Sequence, residues 1–211
     1  LTGEFQYMHQ PFFKRTESLF LMAEGALRGW NTRGRTAQEL YEAGIRLCFQ
    51  ENGITDESVI TQYLEQTEVN DVDYVDPYNG ENNIAGRVNV CVKWNESDDN
   101  EVKLEKIITQ KYIANFPMSA EAWTTFRRTG YPRLFPVKVN NLKDQNVDTE
   151  LQLRRIPIVE TTNNTLEIAS LVQALGQPNW GGSRVFWDIA NETRGDQSPD
   201  NEYLLVVPHN F

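Results

Sequence analysis

Residues 110–136 read QKYIANFPMSAEAWTTFRRTGYPRLFP, and the reading of this stretch decides the fold. Just before and into it, Leu104, Ile107, Ile108, Lys111 and Tyr112 recur at helical spacing, up to the break that Pro117 imposes. Ser119 is placed to cap a second helix with Ala122, Trp123 and Phe126 on its inward face, and Gly130 is placed to close it. Residues 131–136 must then be extended, because each proline disfavours helix in the residue before it. Helix, break, helix and extended exit point to a mainly helical protein.

Upstream, residues 20–30 read FLMAEGALRGW. A helix over residues 17–30 puts Leu19, Phe20, Met22, Ala23, Ala26, Leu27 and Trp30 on one face, with Thr16 as N-cap and Glu17 at the positive end of the dipole. A turn at residues 31–34 leads to a second helix that opens with the capping box Thr36 and Glu39. Its apolar stripe is Leu40, Tyr41, Gly44, Leu47 and Cys48, and Gly53 suits a left-handed stop. Small residues at Gly25, Ala26 and Gly44 would let the two helices approach closely. The pair has the form of one tetratricopeptide-like repeat. A solenoid needs about three such neighbours, so the pair must pack on the rest of this chain or on repeats upstream. A third helix, around residues 56–65, carries Val59, Ile60, Tyr63 and Leu64. Trp30 and Trp123 lie on periodic faces and are expected in the core.

Over residues 71–100 the helical period is lost. Asn79-Gly80 and Asn82-Asn83 are turn signals, and Val88, Val90 and Val92 alternate like a short strand over residues 86–94. Such loop-rich insertions often carry binding. Residues 153–157, LRRIP, read as an extended, edge-like segment. A last helix, capped by Asn164 with Glu167, carries Ile168, Leu171, Val172 and Leu175 before Gly176. Beyond it the chain is loop with a short apolar run at residues 203–207.

With 211 residues, one core is expected rather than two. The net charge of -10 speaks against nucleic acid, which needs clustered cations, and against docking on anionic lipid by a basic face. No run approaches the ~18 apolar residues of a membrane span. Cys48, on a helical apolar face, is expected to be a buried inert thiol; a Cys48–Cys91 disulfide stays open, since spacing does not fix its geometry. No Cys/His spacing suits zinc.

Catalysis finds little support. His9 and His209 lie outside the periodic segments and are expected at the surface, which leaves Ser and Cys without an evident base. Acidic pairs abound, but a glycosidase needs two carboxyls at a fixed gap that spacing does not reveal. Asp71, Asp73 and Asp76, or Asp98, Asp99 and Glu101, could offer oxygens to calcium; they lack EF-hand spacing, and solvated acidic loops are the simpler reading. Arg127-Arg128 could clamp an anion, but Lys111, Arg127, Arg154 and Arg155 are expected to pair with local carboxylates.

Several of these segments, in this order, resemble the SusD/RagB-like family of nutrient-binding outer-membrane lipoproteins of Bacteroidota. The resemblance is carried by residues 20–30, 37–45 (AQELYEAGI), 103–114 (KLEKIITQKYIA), Glu121-Ala-Trp123, 127–132 (RRTGYP), 154–157 (RRIP) and the aromatic-Trp-Asp triplet Phe186-Trp-Asp188, and it spans about residues 15–188. It implies a mainly α SusD-like fold, with tetratricopeptide-like helices at 17–65, a loop-rich insertion with short strands at 71–100, helices and extended segments at 103–188 and a tail at 189–211, all in a single domain over 1–211. It also implies a non-catalytic, surface-exposed protein that captures a glycan or other nutrient for a SusC-like TonB-dependent transporter and uses no cofactor. Family members are longer, with a leader, a lipidated Cys and further repeats. This chain is therefore expected to be the C-terminal part, with membrane association only through a lipid anchor it does not contain.

Sugar recognition needs exposed rings for pyranose C–H faces and nearby amides for hydroxyls. The irregular segments offer Tyr74, Tyr78 and Trp94 with Asn79, Asn82 and Asn83, and Trp180 beside Asn179. At ~1 kcal/mol per ring, a few rings plus hydrogen bonds give roughly millimolar to micromolar affinity. The alternative is a helical protein–protein interaction module without sugar binding; a carbohydrate-active enzyme is third.

Overall fold

We describe residues 12–139, 152–159, 161–189 and 210–211 from a computed structural model of the chain. Six α-helices run through them: α1 Arg15–Leu27, α2 Ala37–Glu51, α3 Glu57–Leu64, α4 Asn100–Ala114, α5 Ser119–Thr129 and α6 Thr165–Leu175, with a 3-10 turn at Gly80–Asn82. The protein is mainly helical, as its periodicity implies. Two compact units form, one from Leu1–Val69 with Val90–Ala122 and the other from Asn70–Asn89 with Trp123–Phe211. His9, His209 and the apolar run at residues 203–207 lie outside the described residues.

In the first unit α1 packs on α2 and α4, and α2 also meets α3 and α4. The core joins Phe20, Leu40, Tyr41, Ile45, Ile60 and Ile107 with Trp94 from the loop before α4. The capping box forms as its residues require: Glu39 N–H donates to Thr36 Oγ1 at 3.2 Å, and Thr36 N–H donates to Glu39 Oε2 at 2.8 Å. Gly53 takes the left-handed stop at φ +79, with Ile54 N–H bonded back to Phe49 O. Gly44 serves a ring and not a backbone, since a Cβ there would stand 2.8 Å from the Phe20 ring.

Three expectations for α1 fail, each for a local reason. Its N-cap is Lys14, without a side-chain cap bond. Thr16 lies inside the helix, where its hydroxyl donates to Glu51 Oε2. The helix also stops at Leu27, because Gly29 turns left-handed at φ +76 and Trp30 N–H bonds back to Gly25 O. Trp30 is thereby lifted out of the helical period. It is 68% exposed rather than in the core, with its ring laid over Gly25.

α4 is buried on its polar sides as well as its apolar one. Lys103 reaches Glu96 at 2.9 Å, and Lys106 reaches Asp98 at 2.7 Å. Lys111 lies between Glu17 at 3.4 Å and Glu121 at 2.6 Å, the carboxylate pairing expected of it. Cys48 and Cys91 are both free thiols, so no disulfide joins them. Cys48 is half-buried rather than buried; desolvation, and after it the Glu51 charge, pushes its thiol up, which disfavours the thiolate.

In the second unit α5 ends at Gly130, which is left-handed at φ +79 as expected, and Phe126 and Tyr131 are buried. Ser119 is its first helical residue rather than its cap, since Ala122 N–H bonds to Met118 O. Asn164 stands at the α6 N-cap, but its Oδ1 accepts from Thr161 instead of the helix. Gly176 ends α6 at φ +60. The short strand expected at residues 86–94 does not form; in this loop an isolated bridge joins Tyr74 with Ile84. Side chains intercept its backbone donors: Gly86 N–H donates to Asp73 and Val88 N–H to Asp71. Residues 153–157 bend rather than extend along an edge, because Arg154 and Arg155 N–H both donate to Gly181 O. Arg154 is fully buried and grips Asp188 through Nε at 2.8 Å and Nη2 at 2.7 Å, while Arg184 adds a third bond at 2.6 Å.

Candidate functional site

Within the loop between residues 70 and 89, one carboxylate, Asp76, gathers the turn of residues 76–83. Asp76 Oδ1 accepts the N–H groups of Tyr78 at 2.7 Å and Asn79 at 3.0 Å. Its Oδ2 accepts Asn82 Nδ2 at 2.9 Å, and its own N–H donates to Asn83 Oδ1. Asn79 Oδ1 then caps the Gly80–Asn82 turn by accepting Glu81 N–H. Asx-type bonds of this sort fix a turn without a core beneath it.

The consequence is chemical. Each asparagine uses one end of its amide to hold the turn, so Asn79 Nδ2, Asn82 Oδ1 and Asn83 Nδ2 are left without a partner among the described residues. Tyr78, directly before Asn79 in sequence, is 97% exposed. An exposed ring flanked by pre-oriented donors and an acceptor is what a sugar's C–H face and hydroxyls require.

Tyr74 is partly exposed and meets the Phe135 ring at 6.2 Å, and Lys138 Nζ donates to Asn83 O. Phe135, which the sequence did not single out, therefore belongs to this surface. Of the expected residues, Tyr74, Tyr78, Asn79 and Asn82 share this loop. Trp94 does not: it is 7% exposed in the first unit's core, 5.2 Å from the Tyr41 ring, so its ring packs rather than presents.

Trp180 stands elsewhere in the second unit, 39% exposed at a groove of about 730 Å³ along α6. Asn179 fixes the wall of that groove by accepting Ile158 N–H at 3.0 Å and donating to Ile158 O at 2.7 Å. Arg155 bonds to Asn179 Oδ1 rather than to a carboxylate. Arg127 likewise stacks between Trp123 at 4.3 Å and Trp187 at 5.3 Å. Among the described residues neither arginine makes the carboxylate pair expected of it.

The acidic clusters are engaged in folding: Asp71, Asp73 and Asp76 in the loop, Asp98 on Lys106, and Asp99 as the α4 cap. Among the described residues no group of three or more His, Cys, Asp or Glu could hold a metal ion, and no helix is long and apolar enough to cross a membrane.

The Asn82 amide, then the Tyr78 and Asn79 N–H groups, hold the Asp76 carboxyl below the usual carboxylate range. A depressed pKa means the turn is stabilised above the ordinary carboxylate value and loses that stabilisation as pH falls through the lower one. The Tyr78 and Asn79 amide resonances are expected to hold their positions at pH 5 and to collapse toward random-coil values only below about pH 4. Asp76→Ala is expected to show the collapsed spectrum already at pH 7. Unchanged amide shifts in that variant would remove Asp76 from its organising role.

Residues 6–188 match the model of the SusD-like family, the SusD and RagB outer membrane lipoproteins. Solved structures are similar as well. A chitin-binding SusD homologue from Flavobacterium johnsoniae is 48% identical, with TM-score 0.67 over 82% of this chain and 36% of that one. A SusD homologue from Bacteroides thetaiotaomicron is 38% identical, with TM-score 0.70 over 84% of this chain and 38% of that one. One from Bacteroides vulgatus is 35% identical, with TM-score 0.67 over 82% and 34%. No curated protein matches. The chain belongs to the SusD-like family, a family of surface-exposed outer-membrane lipoproteins. It spans little more than a third of the length of the solved relatives.

Proposed function

We propose that this chain captures a glycan at the cell surface, without turning it over, and delivers it to a SusC-like TonB-dependent transporter. The observation that carries the reading is the loop of residues 74–83, which holds Tyr78 at 97% exposure next to Asn79 and in the same turn as Asn82 and Asn83, whose remaining amide ends have no partner among the described residues. Family membership and the chitin-binding relative at 48% identity support a glycan as the ligand class and make a chitin-type oligomer the first probe.

Rings such as Tyr78 and Tyr74 supply ~1 kcal/mol each, so an oligosaccharide is held at roughly millimolar to micromolar affinity. Weak, reversible capture suits a protein that must release its ligand to a transporter. Affinity gel electrophoresis against a panel of soluble glycans tests the binding, and chromatography of the incubated glycan tests for turnover. Retardation by at least one glycan, with no new product, is the expected result. Retardation by none, together with tight capture of a peptide, would favour the interaction-module reading; product formation lost on replacing one carboxylate would make the protein an enzyme.

A further inference from the structure

We propose that the groove along α6 is a subsite selective for N-acetylated pyranoses, an inference that rests on the glycan-capture reading and deepens it. Its volume of about 730 Å³ falls within the range of small-ligand clefts. Pro157, Ile158, Ile168, Val172 and Pro178 line it, with Trp180 as its aromatic member. The walls are pre-set, because Asn179 clasps Ile158 through both backbone groups and Ser183 Oγ donates to Pro178 O.

The polar capacity of this groove is small, and that decides the ligand class. Asn179 Oδ1 already accepts from Arg155 and Ile158, and one of the two Nδ2 hydrogens is given to Ile158 O. The Thr165 hydroxyl donates to Thr161 O. An unsubstituted hexose driven against these walls would leave hydroxyls without partners, which is unfavourable. An acetamido sugar differs in two respects. Its methyl is matched by Ile158, Ile168 and Val172, and its carbonyl needs one donor, which the second Asn179 Nδ2 hydrogen can provide. The Trp180 ring, 39% exposed, then takes the C–H face of the pyranose. The chitin-binding relative at 48% identity has a ligand of this class.

The one acetyl methyl seated in the groove and taken from water contributes about four-fold in affinity. The experiment is calorimetric titration of the full chain with hexa-N-acetylchitohexaose and with cellohexaose, which shares its linkage and neutrality but has no acetamido groups. The acetylated hexamer is expected to bind about four-fold more tightly. Trp180→Ala, and Ala169→Arg at an exposed position lining the groove, should bring the two hexamers to nearly equal affinity while the circular dichroism melt is kept. Tyr78→Ala should weaken both alike. Equal affinities in the unaltered chain, or a preference that survives both groove variants, overturn the subsite but leave glycan capture standing. Failure of the chain to bind any glycan overturns both.

Discussion

Asp188→Asn is expected to lower stability by about 3–5 kcal/mol, the usual cost of removing one partner from a buried ion pair. The reason is geometric. Arg154 is fully buried and sends both Nε and Nη2 to the two Asp188 oxygens, while Arg184 bonds to Oδ1 at 2.6 Å. Asparagine keeps the shape but not the charge, so the buried guanidinium loses the carboxylate that its Nε and Nη2 both reach. Urea unfolding measures the loss as a lower midpoint at unchanged slope. Replacing both partners at once, Arg154→Met with Asp188→Leu, should cost less, since the fully buried guanidinium then goes with its carboxylate and only the partly exposed Arg184 loses a bond. If Asp188→Asn cost under about 1 kcal/mol, Arg154 would not depend on this carboxylate.

Phe20→Ala is expected to cost about 3–5 kcal/mol in the first unit. The ring is buried, stands edge-on to Tyr41 at 6.4 Å, and fills the space that Gly44 leaves by having no side chain. Nothing at position 44 can move in to close the cavity, so the loss should fall near the upper end of the range. Gly44→Ala gives the converse strain, because its Cβ would meet the same ring at 2.8 Å. Chemical denaturation of both variants checks the pair. A Phe20→Ala loss below about 1.5 kcal/mol would mean that the α1–α2 contact relaxes in a way this packing does not allow.

These two residues mark what a sequence can and cannot disclose. Phe20 was legible because helical periodicity names the buried face, and the Thr36/Glu39 box was legible because its bonds join residues three apart. The left-handed stops at Gly53, Gly130 and Gly176 were legible because φ above zero asks for glycine. Arg154 was expected to pair with a local carboxylate; that the carboxylate is Asp188, thirty-four positions away, was not legible, since nothing local signals it. Trp30 was misplaced because Gly29, one residue earlier, ends the period that the tryptophan had been counted into.

The same division holds at the site. Asn79-Gly80 and Asn82-Asn83 announced a turn, so Tyr78 could be nominated as its exposed ring. The Asp76 hub could have been read from Asp76-Pro77-Tyr78-Asn79-Gly80, where an Asx turn suits the aspartate. Phe135 could not, because its meeting with Tyr74 is a matter of tertiary structure. The alternating valines at 88, 90 and 92 misled for a related reason: alternation describes side chains, whereas aspartates had already taken the backbone donors a strand would need.

A pair of calorimetric titrations bears most directly on glycan capture: hexa-N-acetylchitohexaose into the unaltered chain and into Tyr78→Ala. Binding in the millimolar to micromolar range by the first, weakened roughly five-fold by loss of one ring worth ~1 kcal/mol, is the predicted result. Equal binding by both chains, or heat from neither, would contradict the claim that this hydrogen-bonded, ring-bearing turn holds the sugar.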